Sequence, residues 1–269
     1  MFNLLRMDLR RLFKTRSFYI VLGVTAALLA MTVAMVSAVI DQAKLDALQS
    51  TGIVVVGGDS EDMVEMLRGM NRLDFLHECL GSGFLLMLAC TGLTLFVNGD
   101  FSSGCVKNIC FALPRRWEYV LSKIFVAGLY SAIITILGAM VSLVCPALMG
   151  LSLEPSSFAE ILLYTFWLWL PTWAFSLLGL ALVLLTRSPT LGVIMAVATG
   201  GGLVAALLQS LCQSFGWPDL AQHLLNMVVR FQCAPMPDAG RIAMILGSSL
   251  GWAALYAAGS LIAMERRDI

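Results

Sequence analysis

Charged residues are scarce in this sequence. Asp, Glu, Lys and Arg together make up 13% of its 269 residues, whereas soluble domains carry about 25%. Hydrophobic residues make up 59%, and the mean hydropathy is +0.87. So few charges cannot give a folded domain a solvated surface, so a soluble globular protein is excluded. The 17 basic residues balance the 17 acidic ones, so the net charge says nothing about partners. For a chain embedded in lipid, no nucleic-acid partner is expected.

The sequence also lacks the motifs of several enzyme classes. It has no G-x-x-x-x-G-K-[ST] phosphate loop, and neither Gly57–Gly58 nor Gly200–Gly202 is followed by Lys. It has only two histidines, His77 and His223, and no H-E-x-x-H motif, so we expect no metal site and read both as satisfied interfacial histidines. No ionisable residue falls in the middle of a long apolar run, so catalytic residues are not expected, and the chain is not predicted to be an enzyme.

Long uncharged runs are abundant, and six of them reach the ~20 residues that a helix needs to cross a bilayer. We therefore predict an all-α polytopic membrane protein with a single transmembrane domain over residues 1–269. The predicted spans are residues 18–40, 79–98, 124–149, 161–186, 189–212 and 242–264. They leave an outer loop at 41–78, a cytoplasmic loop at 99–123, and an outer re-entrant or interfacial segment at 213–241. Cys212 and Cys233 bracket the last segment; a disulfide between them is left open, with free thiols favoured.

The basic residues are distributed unevenly between the two sides of these spans. With both termini inside, 12 of the 17 Lys and Arg residues fall on the cytoplasmic side and 5 on the outer side. Cytoplasmic loops are enriched in Lys and Arg, so an N-in, C-in orientation in the plasma membrane is expected.

Residues 1–16 have the pattern of an amphipathic helix. Leu5, Leu9 and Leu12 recur on one face, and bases at positions 6, 10 and 14 recur on another. This pattern predicts an interfacial helix at the cytoplasmic headgroups, with its apolar side towards the membrane and its bases towards anionic lipid.

The loop at 99–123 has a more specific pattern. Asp100 is suited to cap a short helix that runs to about Ala112, and Pro114 would end it. Such a helix, held between two spans, would act as a lever.

In these features the chain resembles the permeases of the ABC type-2 exporter family. Those permeases have an N-terminal amphipathic helix, six spans and no ATPase in the same chain. Their loop between spans two and three starts with an acid, more often Glu, and carries a small glycine-containing helix before Pro, basic residues and Lys. The matching positions here are Asp100, Gly104, Pro114, Arg115, Arg116 and Lys123, with Lys107 and Asn108 inside the helix. The resemblance implies that these residues form a coupling helix that docks on a separate ATPase subunit, which would bind ATP and Mg²⁺.

The sequence thus predicts a permease subunit of an ATP-driven exporter, paired with an ABC ATPase subunit and with a second permease chain, identical or a sister. The apolar spans favour an amphipathic or apolar cargo such as a peptide, drug or lipid. A non-transport immunity or sensor protein, or a secondary carrier, are the alternatives.

Polar and small residues mark two further faces. Thr91, Thr94 and Asn98 share one face of span two, where a substrate path and interhelical hydrogen bonding are equally good interpretations. Gly247 and Gly251 in span six form a small-residue face that suits close helix packing, within one chain or between two.

The orientation is testable by labelling. In intact cells, a membrane-impermeant maleimide should react with a cysteine introduced at position 60, and with one at position 116 only after permeabilisation, because of the distribution of Lys and Arg. The parent chain, with its seven native cysteines, gives the background. The reverse pattern would contradict both the orientation and the cytoplasmic placement of the loop.

Overall fold

The computed structural model describes residues 2–40, 70–106, 117–151, 153–233 and 237–266. Over these ranges the regular secondary structure is helical, and the only β-type pairing is one isolated bridge between Asn71 and Glu154. The all-α prediction is therefore confirmed for the part of the chain that the structure describes.

The helices are numbered here in chain order. They are α1 (Phe2–Lys14), α2 (Arg16–Ile40), α3 (Arg72–Leu80), α4 (Phe84–Ser102), α5 (Trp117–Leu148), α6 (Phe158–Thr186), α7 (Pro189–Gly200), α8 (Leu203–Ser214), α9 (Pro218–Ala221), α10 (Leu225–Met227) and α11 (Ala239–Arg266). A π-helical turn, Val228–Gln232, follows α10.

Five of these helices, α2, α4, α5, α6 and α11, are long and apolar enough to cross a membrane. The pair α7 and α8 passes the same test together, but the two helices meet at an angle of 60°. The described residues thus form a membrane-embedded bundle with five candidate spans, or six if α7 and α8 count as one. The N-terminal helix is also present as α1, and the bases at positions 6, 10 and 14 are exposed.

The predicted fifth span, 189–212, is not one continuous helix. It breaks at Gly201–Gly202, where Gly202 has a φ of +84° that suits glycine. The Asn226 side-chain amide donates to the Gly200 carbonyl at 2.8 Å, satisfying an acceptor at the end of α7. Consecutive glycines permit the bend, and a buried amide supplies the hydrogen bond that a broken helix needs.

The start of the predicted second span also differs. Residues 79 and 80 belong to α3, and α4 begins only at Phe84, after Gly83 with a φ of +82°. Asn71 caps α3 by accepting from the amides of Leu73 and Asp74, at 2.9 and 2.8 Å. Of the predicted outer loop at 41–78, residues 41–69 lie outside the described ranges.

Helix α4 is packed closely against α5, α6 and α7 through glycines. A Cβ at Gly92 would collide with the Tyr130 hydroxyl on α5, and one at Gly179 on α6 would lie 2.9 Å from the Cys90 carbonyl. A Cβ at Gly192 on α7 would lie 2.6 Å from the Thr94 methyl carbon. Small residues let helix backbones approach in a membrane, where lipid tails are as apolar as the side chains.

Close packing at Gly179 predicts a sharp difference between two glycine-to-alanine changes. Gly179→Ala should lower the stability by about 1–3 kcal/mol, because the backbone of α4 must move. Gly23→Ala, in α2 with nothing within 4 Å of its Cβ, should be neutral or stabilising by up to about 1 kcal/mol. Thermal unfolding in detergent measures both. Equal midpoints for the two variants would contradict the proposed packing of α4.

A buried ion-pair cluster as the candidate functional site

Four charged side chains from three helices meet at one end of the bundle. Asp8 comes from α1, Asp100 from α4 and Lys123 from α5, and each of these side chains is 0% exposed. Arg11, one turn after Asp8, is the fourth, with 31% of its side chain exposed. Two carboxylates therefore face two cations, and the formal charge of the group is balanced. We call these four residues the ion cluster.

Lys123 lies at the centre of the ion cluster. Its ammonium nitrogen is 2.7 Å from Asp8 Oδ1 and 2.6 Å from Asp100 Oδ2, so it bridges two carboxylates on different helices. The other oxygen of Asp8 accepts a hydrogen bond from the Ser122 hydroxyl at 2.7 Å. Charge-assisted bonds of this length are among the stronger ones in proteins.

Asp100 is held by groups from α1 and α5. Its Oδ1 is 2.8 Å from a guanidinium nitrogen of Arg11, and its Oδ2 accepts from the Tyr119 hydroxyl at 3.1 Å. The Arg11 guanidinium also donates to the Cys105 sulfur at 3.5 Å, just beyond the end of α4. Helix α1 is thereby attached both to the end of α4 and to the turn that follows it.

Two aromatic rings also lie close to the ammonium. Lys123 Nζ is 4.9 Å from the centroid of Phe96 and 5.1 Å from that of Tyr119. Cation–π attraction is strongest in such desolvated surroundings. A buried ion pair gives little net stability relative to apolar packing, but removing one partner leaves an uncompensated charge, which costs about 3–5 kcal/mol. The ion cluster therefore fixes geometry rather than adding much stability.

Asp8 is the member of the ion cluster that the sequence analysis missed. It lies on the buried face of α1, between Leu4 at 8% and Leu12 at 0% exposure, at i, i+4 spacing. The signal was present, since Asp8 is the only acid in the first 40 residues. An acid on the apolar face of a basic helix indicates a buried cation partner.

The predicted role of Asp100 as a helix cap is wrong. Asp100 lies in the last turn of α4 and starts no helix, and its side chain is buried inside this chain. A carboxylate at a helix C-terminus is unfavourable because it faces the negative end of the helix dipole. Lys123 and Arg11 compensate for it, which is why α4 continues through Asp100. Since both cations belong to this chain, an ion pair from Asp100 to an ATPase is not proposed.

Lys123 and Gly104 also differ from their predicted surroundings. Lys123 is buried one and a half turns inside α5, rather than at the mouth of the span. Gly104 has a φ of +66° in the turn that ends α4, and a Cβ there would have no atom of the described residues within 4 Å. It is therefore an open turn glycine just after α4. The remaining predicted interface residues, Lys107, Asn108, Pro114, Arg115 and Arg116, lie outside the described residues.

The polar face predicted on span two is divided by the structure. Thr94 is fully buried; its hydroxyl donates to the Cys90 carbonyl of its own helix at 2.8 Å, and its methyl group packs on Gly192. Thr94 thus belongs to a helix crossing between α4 and α7. Thr91 and Asn98 are half-buried, and their role in a substrate path stays a prediction.

Both histidines have hydrogen-bond partners at the opposite end of the bundle. His77 Nε2 donates to the Arg230 carbonyl at 3.2 Å, which leaves Nδ1 to accept from the Tyr164 hydroxyl at 3.1 Å. Burial lowers the pKa of His77, against the opposing effects of the Arg230 carbonyl, Glu78 and Asp74. The neutral ring is therefore favoured, and its contribution to stability is lost as the pH falls below the ordinary histidine value. His223 Nδ1 is 2.8 Å from the Ser248 hydroxyl.

The structure also bears on the cysteine pair and on the small-residue face of the predicted sixth span. Cys212 and Cys233 are both free thiols, and burial raises the pKa of Cys233 to about 12. On α11, a Cβ at Gly247 or Gly251 would have nothing within 4 Å, so this face is not packed against another described helix. Within the described ranges, no group of three or more His, Cys, Asp or Glu residues is placed to hold a metal ion.

No protein-family model matches the chain, and a search of curated proteins finds no match. Inference about function therefore depends on the ion cluster and on the loop whose two ends it holds. The ion cluster offers no activated nucleophile and no open coordination position. Its chemistry is that of a fixed electrostatic joint between α1, α4 and α5.

Charge balance predicts how variants of the ion cluster behave. Lys123→Met leaves two buried carboxylates facing Arg11 alone and should cost about 3–5 kcal/mol. Adding Asp8→Asn should restore part of this loss, because Arg11 and Asp100 then balance each other. Thermal unfolding of the single and double variants measures the coupling. A double variant less stable than Lys123→Met would contradict the pairing of Asp8 with Lys123.

Proposed function

We propose that this chain is the membrane permease subunit of an ATP-driven exporter of the ABC type-2 class. Two permease chains, identical or sister subunits, would enclose the transport path, and two ATPase subunits would dock on the cytoplasmic side. The observation that carries the proposal is the ion cluster, because it holds both ends of the loop between α4 and α5.

A partner that pushes on this loop would move two helices as one unit. Asp100 and Lys123 join the end of α4 to the start of α5 at 2.6 Å, and Arg11 joins α1 to both Asp100 and Cys105. Force on residues 103–116 would therefore move α4 and α5 together, because the ion pair prevents their ends from moving relative to each other. A transporter driven by a separate motor subunit requires this kind of stiff joint.

In this proposal the energy comes from ATP hydrolysis by the partner subunit. The chain has no phosphate loop, so ATP and Mg²⁺ would bind the ATPase subunit and no cofactor is proposed for the permease itself. The excess of basic residues on the α1 side supports a cytoplasmic position for this end of the bundle, with the plasma membrane as the proposed location.

The second permease chain has a suitable contact surface. Gly247 and Gly251 on α11 are exposed and open, and small-residue faces of this kind allow close helix contacts in membranes. Cargo of amphipathic or apolar character, a peptide, drug or lipid, fits spans whose charged side chains lie at their ends.

Gly104 gives the direct test of docking. Gly104→Trp should abolish capture of a phosphate-loop ATPase by the tagged chain, because the ring would project from the open turn into the docked partner. Gly104→Ala is the matched control: it carries the same backbone strain at positive φ, about 1–2 kcal/mol, without the bulk. Mass spectrometry of complexes isolated from native membranes, at equal membrane expression, measures the ATPase recovered.

Recovery of the ATPase with Gly104→Trp at the level of Gly104→Ala would remove the loop from the interface. A failure to recover any such ATPase with the parent chain, or ATP turnover by the purified chain alone, would contradict the permease proposal itself.

A further inference from the structure

A cavity lined by glutamines lies at the end of the bundle opposite the ion cluster. It has a volume of about 370 Å³ and is formed by α8, α9 and the segment that follows. Its walls include Gln209, Gln213, Gln222 and Gln232. The whole sequence has only six glutamines, so four of the six line this one cavity.

The amides in this cavity are available to a ligand. Gln222 has one long contact, 3.5 Å from its side-chain nitrogen to an oxygen of Asp219. Within the described ranges, the side chains of Gln209, Gln213 and Gln232 make no hydrogen bond with other protein groups. Each primary amide supplies two donors and one acceptor group, so together they match a ligand rich in hydroxyl or amide groups.

Charge is absent from the walls of the cavity. Its other lining residues are Ala221, Met227 and Phe231. The charged neighbours Asp219 and Arg230 are exposed and are not lining residues, but each contacts one: Asp219 Oδ1 is 3.5 Å from the Gln222 amide nitrogen, and the Arg230 guanidinium carbon is 5.6 Å from the centroid of the Phe231 ring. These two neighbours carry opposite charges, so together they offer no net attraction to an anionic or a cationic head group. The four amides, by contrast, can replace the water molecules around an uncharged polar head group.

A second, apolar cavity has lining residues that directly precede those of the first in the sequence at two places. It has a volume of about 200 Å³ and lies between α6, α7, α8 and α11, with Phe175, Trp252 and Tyr256 in its walls. Leu208 lines the apolar cavity, and the next residue, Gln209, lines the polar one. In the same way, Asn226 lines the apolar cavity and Met227 lines the polar one. Consecutive Cα atoms are only about 3.8 Å apart, so the two linings adjoin along the chain at both places.

We propose that these two cavities form one binding site for an uncharged amphipathic molecule. Its hydroxyl- or amide-bearing head occupies the glutamine cavity, and its apolar chain occupies the cavity of Phe175, Trp252 and Tyr256. We take this ligand to be the transported cargo, and that part of the inference rests on the proposed function. Binding of the ligand does not rest on it, because binding needs neither ATP nor a partner subunit.

The test uses the purified full-length chain in phosphatidylcholine nanodiscs and a photoreactive alkyl glucoside with a diazirine in its chain. A probe with the same chain and a carboxylate head is the comparison. The glucoside should label peptides from α8 to the π-helical turn and around Trp252, and excess unlabelled alkyl glucoside should compete. The carboxylate probe should label the same peptides at least tenfold less.

Two double variants of α8 test the glutamines. Replacing Gln209 and Gln213 by Leu should weaken competition by the unlabelled glucoside about tenfold, as expected for the loss of two neutral hydrogen bonds. The matched control, Ser210→Ala with Ser214→Ala, changes two exposed residues of the same helix whose hydroxyls bond their own backbone, and should leave competition unchanged.

Three results would overturn the site: labelling spread evenly over all lipid-facing helices, equal labelling by the two probes, or unchanged competition in the glutamine variant. Each is independent of ATPase capture. If labelling is specific but no ATPase is captured, the binding site stands, and only its role as the cargo site of an exporter is contradicted.

Discussion

The ammonium group of Lys123 is the constraint on which one end of this bundle depends. It lies within 2.7 Å of two carboxylates from different helices, in surroundings closed by aromatic rings and apolar side chains. In such a place a charge is tolerated only while its partners are present. The position of α1 across the ends of α4 and α5 therefore follows from charge balance as much as from the burial of Leu4 and Leu12.

The opposite end is organised by different means. There, hydrogen bonds between neutral groups hold irregular backbone: Asn226 caps the carbonyl end of α7, and His77 joins α3 to Tyr164 and to the Arg230 carbonyl. Non-helical backbone at membrane depth needs such partners. One end is thus a stiff ionic joint. The other is a folded-back polar segment that borders two cavities.

The sequence predicted the class of fold because long apolar runs leave few alternatives in a membrane. The prediction from sequence was wrong at places where a single distant residue changes the local structure. The run at 189–212 has the composition of a span, yet Gly201–Gly202 and the distant Asn226 allow it to bend by 60°. Asp100 has the sequence context of a helix cap, yet cations from two other helices keep it inside α4. Both outcomes depend on contacts between residues far apart in the chain, which local patterns do not show.

The same limitation explains the incomplete prediction of the site. The sequence predicts Asp100 and Lys123 as residues of a docking loop, whereas the structure buries both and joins them in an ion pair. Asp8 was hidden among five bases, although its place on the apolar face of α1 distinguishes it from a solvated acid. The resemblance to permeases concerns the loop between α4 and α5, and the ion cluster joins the two helix ends that this loop connects. The ion cluster therefore adds a physical contact between α4 and α5 that the resemblance did not predict.

The central claim is that the ion cluster makes α1 and the start of α5 one rigid unit. Nitroxide labels at the exposed positions Arg10 and Phe125, in the chain reconstituted in lipid, allow their separation to be measured by pulsed electron paramagnetic resonance. We expect a single narrow distance distribution in the parent chain and a broad one after Lys123→Met. An equally narrow, unshifted distribution in that variant would show that α1 is held without the ion cluster and would contradict the account.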